Sequence, residues 1–100
     1  TAEVRERVVR AREIQRERFA SDGIYTNAMM DNGLIDKYCP LDDACRDYLR
    51  RTIESMGLSA RACMRIIRIA RTIADLEGSR DISILHLSEA TGFRFMDKAL

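Results

Sequence analysis

The chain has 100 residues and 46% hydrophobic content, enough for one small domain with a real core. A formal net charge of +1 gives no global basicity to draw nucleic acid or a membrane surface, and one Pro with five Gly leaves room for long helices. The three cysteines, Cys39, Cys45 and Cys63, are odd in number and lack a C-x-x-C pair, which argues against a disulfide framework and a zinc ribbon.

These cysteines read as reduced thiols in the cytoplasm. A zinc site made from them and His86 would lack the close ligand pairs that such sites use. No stretch approaches a membrane span and there is no signal peptide, so no membrane partner is expected.

Residues 1–20 read as a helix, with Thr1 as its cap and Glu3 in the first turn. Glu3–Arg7 and Glu6–Arg10 are i,i+4 pairs in the favourable order. The apolar stripe is thin: Val4, Val8, Ala11 and Phe19, flanked by Val9 and Ile14. Gln15 falls on that stripe, where it either finds a partner across the core or marks the edge of burial; the edge is the reading adopted. The arginines from Arg5 to Arg18 are interleaved with glutamates, which favours a solvated face over a nucleic-acid surface. The chain starts inside this helical pattern without an initiating Met, and reads as cut from a longer protein.

Ser21-Asp22-Gly23 is a helix stop. Residues 24–30 are poorly patterned and read as a largely irregular connection, with Met29 and Met30 as gap-filling core residues. Residues 31–38 suggest a short helix that turns Leu34, Ile35 and Tyr38 inward, although Asn32-Gly33 also makes turns. Asp42 caps the next helix, which repeats Ala44, Cys45, Tyr48, Leu49, Thr52, Ile53 and Met56 inward and ends at Gly57.

The link to Ser59 is very short, so a tight helical hairpin follows. Ser59 is a favoured N-cap, and Leu58 with Cys63 forms a hydrophobic staple. The helix runs to Leu76 with an apolar face of Cys63, Ile66, Ile67, Ile69, Ala70, Ile73 and Ala74. This facing makes Ile67 and Ile73 both core residues, where a buried Asp would unfold the domain. Arg61, Arg65 and Arg68 occupy the opposite side, with Arg71 on its edge.

Arg61 stands in the first turn, where a cation faces the positive end of the helix dipole at a cost of roughly 0.3–1 kcal/mol. Two readings stand. One is a surface arginine tolerated at a solvated helix end. The other is a phosphate site, in which backbone N–H groups, dipole and bidentate guanidinium converge.

Residues 78–81 form the next turn. Ser83 caps the last helix, Ile82 staples onto Leu87, and Ile84, Leu87, Ala90 and Phe93 face inward. His86 lies close to that face as a hydrogen-bonded packing residue without a catalytic role. Gly92 should fray or end the helix, with Phe95 and Met96 folding back on the core. The sum is a single all-α domain over residues 1–100, a bundle of four helices and a short fifth. There is no G-x-x-x-x-G-K-[ST], no H-E-x-x-H and no catalytic carboxylate pair, so the chain alone is not expected to be an enzyme.

Leu58-Ser59-Ala60-Arg61-Ala62, followed by Arg65-Ile66-Ile67-Arg68-Ile69-Ala70-Arg71-Thr72-Ile73-Ala74-Asp75-Leu76, resembles the C-terminal region of magnesium-chelatase-like AAA+ ATPases of the ComM/YifB type. Ile82 through Phe93-Arg94 is similar to that family's last helix, and Val4-Arg5-Glu6-Arg7-Val8 with Ala11, Arg12 and Gln15 to its opening. The resemblance covers nearly the whole chain; residues 21–31 are least characteristic.

It implies a helical lid that follows a P-loop core, with Arg61 as the sensor-2 residue that reaches the γ-phosphate of ATP. Arg65 and Arg68 would be supporting or interface residues. ATP and magnesium would belong to the parent protein, with neither expected on this fragment alone. The family assembles as rings, typically hexamers, and the ComM type is associated with DNA branch migration, so a homo-oligomer and DNA are the implied partners. The alternatives are a stand-alone helical DNA-binding module using the arginines of the first and fourth helices, and a protein-interaction bundle without a ligand.

Overall fold

The computed structural model describes residues 2–99, with side chains as far as Gly92. Its helices are α1 (Ala2–Arg18), α2 (Asn32–Tyr38), α3 (Asp43–Met56), α4 (Ala60–Glu77) and α5 (Ile84–Ala99), and a 3-10 turn spans Asn27–Met29. No strand occurs among the described residues, so the all-α expectation holds. The cap role assigned to Thr1 and the inward packing of Phe93, Phe95 and Met96 lie outside the described residues.

The helix boundaries follow local chemistry. Asp31 accepts a hydrogen bond from the Leu34 N–H at 2.9 Å, which starts α2 in spite of Asn32-Gly33. Asp42 accepts from the Cys45 N–H at 2.8 Å, and that bond holds its carboxyl below the usual range. Ser59 accepts from Ala62 N–H at 3.1 Å. Gly57 and Gly78, at φ 63° and 72°, close α3 and α4 in the left-handed conformation that a side chain resists. Gly92 does not end α5, whose backbone stays helical to Ala99. One interior Gly costs roughly 1 kcal/mol of helix propensity, too little to stop a helix whose preceding turns are buried.

α4 is the central element. It packs against α5, α1, α2 and the 3-10 turn, while α3 packs against α5. Ile66, Ala70 and Ala74 on α4 are fully buried, together with Leu87 and Ala90 of α5. Phe19 is buried beside Tyr38, with ring centroids 5.4 Å apart and planes 89° apart. That edge-to-face contact ties the end of α1 to α2. Leu58 and Cys63 are half-buried against this core, and Ile82 and Leu87 are buried, as their staple positions require.

Several facings differ from the periodicity. Val4 and Val9 are exposed, because the first half of α1 extends past its neighbours; burial begins at Ala11. Met30 is core but Met29 is 51% exposed, since the 3-10 turn points successive side chains apart. Ala44 and Met56 of α3 face out, at the two ends of that helix. Ile84 is exposed and His86 takes the interior place. The buried face of α4 is turned toward Arg71 and Asp75, leaving Cys63, Ile69 and Ile73 half-buried.

Candidate functional site

The reason for that turn of α4 is a buried polar cluster. Asp75 is 1% exposed and Arg71 3% exposed, two charges in the interior of a 100-residue chain. Arg18 meets the Asp75 carboxylate with both terminal nitrogens, at 2.7 and 2.8 Å. It also donates to Asn27 Oδ1 at 2.9 Å. Asn27 Nδ2 donates to Asp75 Oδ2 at 2.8 Å and to Thr72 Oγ1 at 3.1 Å. The Asn27 N–H donates to Gln15 Oε1 at 3.1 Å. Gln15 is therefore a core residue with a partner, and does not mark an edge of burial.

Arg71 likewise is not on a solvent edge. Its Nη1 and Nη2 donate to the Arg80 and Ser79 carbonyls at 3.0 and 2.9 Å, holding the turn between α4 and α5. Its Nε lies 3.3 Å from Asp75 Oδ1, an ion-pair contact without hydrogen-bond alignment. Two guanidiniums thus share one carboxylate, which repays the desolvation that a lone buried arginine would suffer. The network joins α1, the 3-10 turn, α4 and the α4–α5 turn. The signals for it were an i,i+4 Arg71–Asp75 pair inside an apolar run and a glutamine on an apolar stripe; Arg18 and Asn27 carried none.

The exposed side of α4 is different. Arg61 and Arg65 are exposed, and Arg68 is half-buried with its Nη1 donating to the Met30 carbonyl at 3.2 Å. The three therefore share a helix side, but Arg68 is tied to the chain after the 3-10 turn. Ser59 Oγ accepts from the third N–H of α4, and Ser59 O from the fourth, Cys63 N–H, at 3.0 Å. The Ala60 and Arg61 N–H groups, the first two of the helix, are left by this capping. Beyond Arg65 the same side forms a groove of about 530 Å³ lined by Ala28, Arg65, Arg68, Ile69, Thr72, Ile73 and Leu76.

The histidine and the cysteines take part in capping and packing. Ser83 and His86 form a reciprocal cap. The His86 Nδ1 accepts from the Ser83 N–H at 2.9 Å, and Ser83 Oγ faces the His86 N–H at 3.4 Å. Histidine here fills the place of Glu in a capping box. Its Nε2 consequently carries the proton and donates to Glu77 at 2.6 Å. Burial pushes the Cys39 and Cys45 thiols up to about 11 and raises Cys63 as well, so none is poised as a nucleophile. Among the described residues no group of three His, Cys, Asp or Glu could hold a metal ion, and no helix is long and apolar enough to cross a membrane.

Residues 1–94 match the family described as magnesium chelatase, subunit ChlI C-terminal. The chain belongs to that family. Among curated relatives, the competence protein ComM of Haemophilus influenzae is 41% identical over the whole chain, and YifB of Escherichia coli is 38% identical over the same span. The protein Rv2897c of Mycobacterium tuberculosis is 33% identical over 94% of the chain. The chain spans 19% of the length of each of these relatives. No solved structure matches it.

The family match extends through α1, α4 and most of α5, so it takes in both the buried network and the exposed face of α4. In this family domain the described residues combine a buried network that fixes the elements with an exposed arginine in the first turn of α4.

Proposed function

We propose that this chain is the C-terminal helical lid of a magnesium-chelatase-like AAA+ ATPase, and that Arg61 is its sensor-2 residue. One observation carries the reading. An exposed guanidinium stands in the first turn of α4, beside two N–H groups that the Ser59 cap leaves over. Charge, dipole and donors at that point all suit an anionic oxygen. A phosphate fits this set of groups, and the small dipole penalty of Arg61 becomes an attraction once a phosphate is present.

In this reading ATP and magnesium are held on an upstream P-loop domain, which supplies the hydrolytic chemistry. This chain contributes the Arg61 contact to the terminal phosphate. Loss of that phosphate removes the contact. α4 then moves with α1 and the α4–α5 turn, because the Arg18–Asp75–Arg71 network makes them one piece. The output is a change in ring assembly or DNA remodelling by a cytoplasmic homo-oligomer. Arg65 and Arg68 support the same face at an interface.

Arg61→Ala in the full-length protein tests this. As a surface change it should shift stability by less than ~0.5 kcal/mol. ATP turnover, or its coupling to DNA, should fall at least ~10-fold, since a donor aimed at developing charge is lost. Wild-type turnover together with wild-type DNA-dependent output would sink the assignment.

A further inference from the structure

The first half of α1 stands clear of the domain's core, yet its outer side is patterned. Arg5, Val9 and Glu13 recur every four residues along one ridge, with Glu6 and Arg10 on the next, and together they line a shallow groove of about 310 Å³. Val9 is 48% exposed. Among the described residues Arg5, Glu6, Arg10 and Glu13 meet no ion-pair partner, although Glu6 and Arg10 are spaced for one. α3 carries a second groove, of about 300 Å³. Arg46, Arg50 and Glu54 form its ridge, and Leu49 and Ile53, which pack inward, present their outer edges as its floor. Arg50 holds Asp47 and Glu54 at 2.6 and 3.3 Å in positions open to water, and surface pairs of that kind exchange partners at little cost.

The two ridges match in length and in charge. Each runs eight residues from end to end, about 12 Å of helix. Laid antiparallel, Glu13 comes opposite Arg46, Val9 falls between Leu49 and Ile53, and Arg5 comes opposite Glu54. Within one copy the two helices stand apart. α1 packs on α4, α4 on α5 and α5 on α3, so the two ridges lie at opposite edges of that row.

We infer that α1 of one copy docks antiparallel on α3 of a second copy of this chain, with Val9 seated over Leu49 and Ile53 between the Glu13–Arg46 and Arg5–Glu54 pairs. The contact sets one edge against the other, so it repeats from copy to copy and closes a ring where the rotation allows. One such contact is smaller than a stable interface, but several within a closed assembly reinforce one another. The inference deepens the homo-oligomer of the lid reading and rests on that reading only for there being an oligomer; it makes no use of Arg61.

The test uses two separately tagged forms of the full-length protein, Val9→Cys and Arg50→Cys, mixed and treated with a short bismaleimide. The expected product is a covalent pair joining residue 9 of one form to residue 50 of the other, mapped by mass spectrometry and missing when either form is treated alone. Lack of that product in the mixture overturns the inference, as does a residue 9 that crosslinks only to the upstream part of its own chain.

Charge reversal checks the pairing at positions that are exposed and so tolerate the change. Glu13→Arg in the first form should lower the yield about fivefold, and Arg46→Glu in the second form should restore it. A yield that the first change leaves alone, or that the second fails to restore, overturns the pairing. The two readings also separate. The crosslink together with wild-type turnover in Arg61→Ala keeps this contact and removes the phosphate role, whereas lost turnover without the crosslink does the reverse.

Discussion

Asp75 is the residue on which the most depends. Its carboxylate is shared by Arg18, Arg71 and Asn27, and it is almost wholly buried. Removing that charge strands two guanidiniums, one of them as deeply buried as Asp75 itself. Asp75→Ala should therefore destabilise the domain by about 3–5 kcal/mol, measured by urea unfolding, whereas Arg61→Ala barely moves the midpoint. A loss below ~1 kcal/mol for Asp75→Ala would show that the network is solvated in solution. Arg61 and Arg71 lie on one helix, yet one is exposed and the other is committed to the Ser79 and Arg80 carbonyls. Periodicity alone put both on the outside, because it scores an arginine as polar and cannot see a carboxylate arriving from four residues on.

At the scale of elements, α4 was legible in outline. Its cap at Ser59, its stop at Gly78 and the burial of Ile66, Ile67, Ala70 and Ala74 all follow from local chemistry and spacing. Its rotation was not, since Ile69 and Ile73 are as apolar as the residues that are buried and only the neighbours decide between them. This changes what substitutions should do. Ile67→Asp should abolish cooperative folding, with an uncompensated charge in the core costing several kcal/mol. Ile73→Asp opens onto the groove and should leave a cooperative thermal transition in the domain. A common collapse of both variants would return Ile73 to the core. α1 shows the complementary failure: its stripe was read correctly at Ala11 and Phe19 and too far at Val4, because a helix pattern does not tell where its neighbours stop.

For the whole molecule, composition and period were sufficient for the class, and the all-helical bundle follows from them. The tie between the two ends of the sequence was not accessible that way. Arg18 and Asp75 are 57 residues apart, and nothing local to Arg18 distinguishes it from the other arginines of α1. The candidate phosphate site was easier to find than the network behind it. An exposed cation in a first turn breaks a local rule, whereas the network left only the Arg71–Asp75 spacing and Gln15 on an apolar stripe, neither of which names the partner across the core.

The way α1 is attached has a consequence for how the chain meets a protease. Its first half carries Arg5, Arg7 and Arg10 on exposed turns with no buried residue before Ala11, while Arg18 is clamped at the other end. Local opening there disrupts no core contact, so trypsin should cut first within residues 5–10 and then stall, leaving a resistant fragment that begins just before the Gln15 turn. In Asp75→Asn the stall should vanish and nicks should advance to Arg16 and Arg18, visible as a shortened band by mass spectrometry. The buried carboxylate would thus mark how far a digest can travel along the first helix.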